Sequence, residues 1–258
     1  MDVNLAAPAY VFGRGDAREQ HRLLAAAHDP LTLPRLAETG VDSGWRCLDV
    51  GTGGGTVAAW LATQVGPAGS VLATDLSPTS DTVLRHDITR DPLPDGHFDL
   101  IVARLVLRHL PERAEVLARL VAALAPGGWL QIDETDTTYQ PCLDAPDRHA
   151  FALYQRFIAA RDAVMERAGV DAGYGRRVAR AMRSAGLVDL DPVSGVEVWG
   201  PGSPGLALLA HTTVRLRDGL VAVGMTDRQL AEVRELFEQP GFRASSSVYY
   251  SVRGRRAS

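Results

Sequence analysis

Hydrophobic positions along the chain fall into runs of two kinds. Cys47–Val50, Val71–Thr74, Val83–His86, Phe98–Ala103 and Trp129–Ile132 are short and largely apolar, as parallel strands buried on both faces are. Thr56–Gln64 and Pro111–Ala125 instead carry apolar residues at helical spacing. In the second, Leu117, Leu120, Val121 and Leu124 share one face. Gly66-Pro67 and Pro126-Gly127-Gly128 stop these two segments. Strand alternating with helix predicts an α/β fold with a mostly parallel sheet and helices on its faces.

The flanks read differently. Asp16 is a candidate cap for a helix over Ala17–Ala27. Asp29-Pro30 breaks it, and a short helix around Leu33–Thr39 follows. Beyond Asp136, helices are predicted over Ala145–Ala168, Gly173–Ala185, Leu206–Val223 and Thr226–Phe237, the last capped by Thr226 or Asp227. Val188–Val198 and Ser247–Val252 supply two late strands, and Gly254–Ser258 is expected to fray. No repeat and no linker is visible. The expected organisation is one structural domain: a helical lid over 1–44, a binding core over 45–140, and a C-terminal helical cap with the last strands over 141–258.

Composition narrows the function classes. The 258 residues are 46% hydrophobic and 22% charged, ordinary for a globular protein. Against 27 basic residues stand 31 acidic ones, a net charge of −4, which argues against nucleic-acid and anionic-membrane partners. Two cysteines, Cys47 and Cys142, exclude a disulfide framework or a four-thiolate zinc site. The start, MDVNLAAPAY, has no basic n-region, and no stretch approaches ~20 apolar residues, so a cytoplasmic protein is expected. Abundant Ala and Arg with few Lys suggest a GC-rich bacterial genome.

The sharpest chemical feature is Leu48-Asp49-Val50-Gly51-Thr52-Gly53-Gly54-Gly55-Thr56, a strand entering a glycine turn that opens a helix. Such glycines permit positive φ and let a ligand lie against bare backbone. Asp75 ends the second strand, 20 residues beyond Gly55, where nucleotide-binding α/β folds hold ribose hydroxyls. Asp87 ends the third strand candidate. The dinucleotide fingerprint G-x-G-x-x-G is not met, because Thr56 follows Gly55. An acid at Asp49, just before the loop, is ill suited to a pyrophosphate and well suited to an amino group. This favours a sulfonium amino-acid conjugate over a dinucleotide.

LDVGTGGG, VLATDLSP, HDI, PDGHFDLIVARLVLRHLPE and LAPGGWLQIDETD follow in order over about residues 45–136. They resemble the successive motifs of class I S-adenosylmethionine-dependent methyltransferases, and among these the small-molecule ubiquinone/menaquinone-type group. The resemblance implies a Rossmann-like methyltransferase fold with a mostly parallel, seven-stranded sheet. It implies S-adenosyl-L-methionine as cofactor and a small-molecule methyl acceptor as partner. Asp49, Gly51, Gly53 and Gly55, with Thr52 in the same loop, are then expected at the methionine part. Asp75 is expected on the ribose with Leu76 beside the adenine. Asp87 is expected at the adenine amino group with Ile88 on the ring, and Arg104 at the methionine end. Tyr10 and Arg22 are expected in a lid.

One feature departs from the family. Only Leu76–Thr82 separates the second strand from the third, where relatives carry a helix. Parallel neighbours normally need a dozen or more connecting residues. Seven extended residues reach about 23–25 Å, and walking back along a five-residue strand takes ~17 Å. The link is therefore expected to be extended, with the crossover helix missing or very short and one adenine wall thin.

For chemistry, His109 after the fourth strand is a candidate base for a hydroxyl acceptor. Asp133, in the acidic run Asp133–Asp136, and Tyr139, Tyr154 and His211 are candidates for acceptor binding. A metal is not expected, because no further oxygen-ligand set accompanies the acidic run. The amino-methylating tetrapeptides of nucleic-acid methyltransferases are absent where this chain has Ala103-Arg104-Leu105-Val106. The expected activity is small-molecule methylation in bacterial secondary metabolism, with oxygen slightly favoured and a homodimer as the candidate assembly. The alternatives are a cofactor-retaining cyclase that does not methylate and a non-catalytic partner protein.

Overall fold

A computed structural model describes residues 17–258. In chain order the elements are α1 (Arg18–Ala37), β1 (Arg46–Val50), α2 (Thr56–Val65), β2 (Ser70–Asp75), β3 (Leu84–Arg85), β4 (Phe98–Arg104), α3 (Arg113–Ala123) and β5 (Leu124–Asp136). There follow β6 (Cys142–Asp144), α4 (Arg148–Arg167), α5 (Val178–Ser184), β7 (Leu187–Gly195), β8 (Val198–Trp199), α6 (Pro204–Arg215), α7 (Arg217–Ala222), α8 (Asp227–Phe237), β9 (Arg243–Ser245) and β10 (Val248–Arg256). They form two units. One comprises the described residues up to Ala27 with Thr137–Ala172 and Val196–Val248; the other comprises His28–Asp136, Gly173–Gly195 and Tyr249–Ser258.

The second unit is built on a seven-stranded sheet in the order β3-β2-β1-β4-β5-β10-β7. The pairs β1–β2, β1–β4, β2–β3 and β4–β5 are parallel, and β10 runs antiparallel to β7. Successive side chains of a strand point to opposite faces. Accordingly Leu48, Ile101, Ala103, Leu130 and Ile132 join Leu117 and Leu120 of α3 and Val178 and Met182 of α5 in one core cluster. Cys47, Leu100 and Val102 join Leu36 of α1 and Val57, Leu61 and Val65 of α2 in another. Cover on both faces is why these strands read as unbroken apolar runs.

No helix lies between β2 and β3, as the seven-residue spacing predicts. The chain avoids the long return by shortening the third strand. β3 is two residues long and pairs only with the last two of β2, Thr74 with Leu84 and Asp75 with Arg85.

Several expected boundaries move. α1 is one helix through Pro30 and Pro34 rather than two pieces broken at Asp29-Pro30. An interior proline costs about 3 kcal/mol or more. Here it is offset by bonds from the second half of the helix: Asp29 to Thr56 and Arg104, and the Thr32 hydroxyl to Tyr249 at 2.7 Å. β5 starts at Leu124 and loops out over Pro126–Gly128, then resumes pairing at Trp129 opposite Leu100. A Cβ on Gly128 would lie 2.9 Å from the Ala125 oxygen, so only glycine fits the loop. β5 also runs on to Asp136, so the acidic run beyond the expected strand Trp129–Ile132 lies inside the strand. The C-terminal tail is paired as part of β10 as far as Arg256, not frayed.

In the first unit, Tyr154 and Phe157 of α4, Phe237 of α8 and Phe242 form an aromatic core, with ring centroids 5.3–6.3 Å apart. A second sheet, β6-β9-β8, is present that the sequence did not predict, since two of its strands are three residues long and one is two. The expected helix Leu206–Val223 is two helices with a break at Leu216, and residues on both sides of the break, Leu209 and Leu220, are buried. α8 opens with a capping box between Thr226 and Gln229.

Leu120 is completely buried beneath the sheet. We expect Leu120→Ala to destabilise the protein by about 2–5 kcal/mol. Urea unfolding followed by circular dichroism measures it, and a change below about 1 kcal/mol would mean that α3 does not pack as described.

Candidate active site

The carboxyl ends of β1, β2, β4 and β5 lie along one rim of the parallel sheet, the side where open α/β sheets take ligands. After β1 the chain turns through Gly51, Gly53 and Gly55 at φ +65°, +56° and +77°, the left-handed region that glycine enters without strain. A Cβ on Gly51 would lie 2.6 Å from Cγ2 of Val106, so this position is also closed to any side chain. α2 opens at Gly55 with no capping side chain.

Asp49, the fourth residue of β1, is buried. Its Oδ2 accepts the Thr52 hydroxyl at 2.6 Å, and the Ala58 amide also donates to its carboxylate. Burial pushes its pKa up to about 6, against the pull of Thr52 and Arg104. Asp75 ends β2. Its Oδ2 accepts the Gly53 amide at 3.0 Å and its Oδ1 the Ser77 amide at 2.8 Å, so the acid is fixed to the glycine loop. Thr79, in the short link, donates to the Gly53 carbonyl at 3.2 Å.

Asp87 serves its own turn: Oδ1 accepts the Thr89 hydroxyl at 2.6 Å and the Thr89 amide at 3.0 Å. The Thr89 hydroxyl is the main reason its pKa is lowered. Ile88 is buried in the core cluster beside α3, whereas Leu76 is half exposed. Arg104, the last residue of β4, bonds Asp29 of α1, whose Oδ1 also accepts the Thr56 hydroxyl at 3.1 Å. α1, the end of β4 and the start of α2 are thereby joined around one carboxylate.

Asp133 and Glu134 are fully buried. Gln131 Nε2 donates to Asp133 at 3.1 and 3.2 Å, and the hydroxyls of Thr32 and Tyr249 bond it too. His28 stacks on Tyr249 with ring centroids 5.2 Å apart. Burial raises the pKa of Asp133 and pushes that of Glu134 up to about 7. The same burial, with Arg108 nearby, lowers His109 to about 3. His109 therefore stays neutral and weakly basic near pH 7, which suits it better to hydrogen bonding than to proton abstraction.

The remaining expected residues lie in the first unit, except for Tyr10, which lies outside the described residues. Arg22 makes an exposed pair with Glu19 at 2.7 Å. Tyr154 is a core residue whose hydroxyl donates to the Gln140 carbonyl at 3.1 Å. Tyr139 is exposed and His211 partly buried. Sequence reasoning missed Asp29, Thr32, Glu134 and Tyr249. In the sequence Asp29 reads only as a helix breaker and Glu134 only as part of an acidic run. The Thr32–Tyr249 contact spans 217 residues and leaves no local signal.

A family model described as a methyltransferase domain matches residues 17–189. The chain belongs to the class I S-adenosylmethionine-dependent methyltransferase family. It is 30% identical over 132 residues to the ubiquinone/menaquinone biosynthesis C-methyltransferase UbiE of Cupriavidus necator, a match covering 46% of this chain and 54% of that one. The chain thus spans about half the length of that curated relative. The fold is similar to that of the [4+2]-cyclase SpnF (TM-score 0.54, 19% identity, 89% of this chain and 81% of that one). It is also similar to Haemonchus contortus phosphoethanolamine N-methyltransferase 2, solved with phosphomonomethylethanolamine and S-adenosylhomocysteine (TM-score 0.51, 14% identity, 88% of this chain and 52% of that one).

The Asp49 carboxyl yields a test of the rim's electrostatics. Its folded pKa of about 6 lies above the ordinary 3.8, so its contribution to stability declines as pH rises from about 4 to about 6. Asp49→Asn does not titrate there. We expect the stability of Asp49→Asn relative to wild type to rise across that window and level off above it, in urea unfolding at a series of pH values. A difference independent of pH would mean that Asp49 is not a buried acid.

Proposed function

We propose that this protein binds S-adenosylmethionine along the rim formed by β1, β2 and β4 and transfers its methyl group to a small molecule. The supporting observation is Asp75, held at the end of β2 by the Gly53 and Ser77 amides beside a glycine loop of bare backbone. A carboxylate has about four acceptor positions, so these two donors leave room for two ribose hydroxyls. The positive-φ glycines leave the loop open for the methionine part, with Asp49 available to its ammonium group and Arg104 to its carboxylate. When bound, the cofactor supplies a methyl group on a positively charged sulfur, and the protein's task is alignment of donor and acceptor. With its pKa at about 6, Asp49 is mostly ionised near pH 7, and a ligand ammonium favours that charged form.

The acceptor is a small molecule by analogy with the C. necator relative, which is named for ubiquinone/menaquinone biosynthesis. We favour oxygen as the acceptor atom and bacterial secondary metabolism in the cytoplasm as the setting. Among the described residues no helix is long and apolar enough to cross a membrane. His109, neutral at physiological pH, would orient an acceptor hydroxyl by accepting its hydrogen bond. A second reading, a cyclase that keeps the cofactor without using its methyl, stands beside methyl transfer because the fold alone does not fix the chemistry.

Calorimetric titration with S-adenosylhomocysteine tests the binding reading. We expect Asp75→Ala to bind at least about tenfold more weakly than wild type, a loss of about 1.4 kcal/mol. Equal affinity in the two proteins would remove Asp75 from the site. Formation of S-adenosylhomocysteine from S-adenosylmethionine with the true acceptor then separates transfer from cyclisation.

A further inference from the structure

The turn that follows β4 is held from both sides. Leu105 sits at φ +57°, a conformation costly for a branched side chain. Its amide donates to the Asp133 carbonyl at 2.8 Å. The next residue, Val106, places Cγ2 against Gly51, in the space a Cβ there would need. On the other side, the Arg108 amide donates to Glu134 Oε1 at 3.1 Å, and the Leu107 amide also bonds this carboxyl. Arg108 Nη1 bonds the Thr135 hydroxyl, a second tie to β5.

Glu134 is an expensive residue for its place. It has no exposed surface, and its Oε2 meets no donor. Leucine or isoleucine would fill such a site without the cost of dehydrating a carboxyl group. What an apolar residue cannot do is receive the two amides of the turn.

We propose that Glu134 is a positioning residue that acts through the turn Leu105–His109, holding Val106 against Gly51 and so fixing the glycine loop in its ligand-ready form. This rests on the cofactor reading given above. Glu134 touches neither the glycine loop nor the ribose acid; its effect passes through Val106.

The test pairs ligand titration with backbone exchange. S-Adenosylhomocysteine is titrated into wild type, Glu134→Gln and Glu134→Leu, and amide hydrogen exchange is measured at Leu107 and Arg108. The amide oxygen of Gln still accepts the turn's N–H groups, so we expect its affinity to stay within about threefold of wild type. We expect Glu134→Leu to bind at least about tenfold more weakly while still folded, with faster exchange at the two amides. A folded Glu134→Leu with wild-type affinity and wild-type exchange overturns the proposal. Should that variant not fold, Val106→Ala replaces it: a several-fold weaker affinity supports the coupling, and unchanged affinity overturns it. If wild type itself does not bind S-adenosylhomocysteine, the cofactor reading fails. The exchange arm still decides whether Glu134 holds the turn.

Discussion

A carboxyl group taken out of water must find hydrogen-bond donors or surrender its charge. Asp49, Asp133 and Glu134 are buried in this way at the rim of the sheet. The segments around them are placed so as to supply donors. Thr52 and the Ala58 amide come to Asp49 from the glycine loop and α2. Gln131, Thr32 and Tyr249 come to Asp133 from β5, α1 and β10. The amides after β4 come to Glu134. Each acid therefore ties a loop or helix to a strand end. Burial outweighs these donors and raises all three pKa values, and at Glu134 one oxygen, Oε2, meets no donor.

The same constraint explains an apparent excess of polar residues in the interior. Asp133 and Glu134 are adjacent on β5 and therefore face opposite sides of the sheet. Asp133 meets α1 and β10, and Glu134 meets the turn after β4. One strand end thus fixes structure on both faces. Outside the strands, Asp29 acts in a similar way, receiving Arg104 and Thr56 with one oxygen. Its bonds also help a helix carry Pro30 and Pro34 through its middle.

The parts legible in the sequence are those set by local pattern. Buried parallel strands announce themselves by continuous apolar runs, and the glycine loop by its spacing after Asp49. The parts not legible depend on partners distant in sequence. Proline at 30 and 34 favours a break locally, and partners distant in sequence outweigh that preference, among them Tyr249, Thr56, Arg104 and Asp191. An acidic run argues locally for a solvated loop. Only donors from four different segments make Asp133 and Glu134 acceptable inside a strand. The sheet β6-β9-β8 escapes for a related reason: strands of two or three residues are too short to carry a period.

The missing crossover helix shows how a shortened segment can keep the site it borders. Reducing β3 to a pair with Thr74 and Asp75 removes the need to walk back along β2. The freed link is then used at its start: the Ser77 amide holds Asp75, and the Thr79 hydroxyl reaches the Gly53 carbonyl. Both bonds fall on Asp75 and the glycine loop, so that side of the rim is braced without a helix. The cost falls on apolar cover, since Leu76 and Leu84 stay half exposed where a helix would have shielded them. Polar anchoring is therefore retained and apolar shielding reduced. A ligand held there would depend on hydrogen bonds to Asp75 and the loop more than on apolar burial.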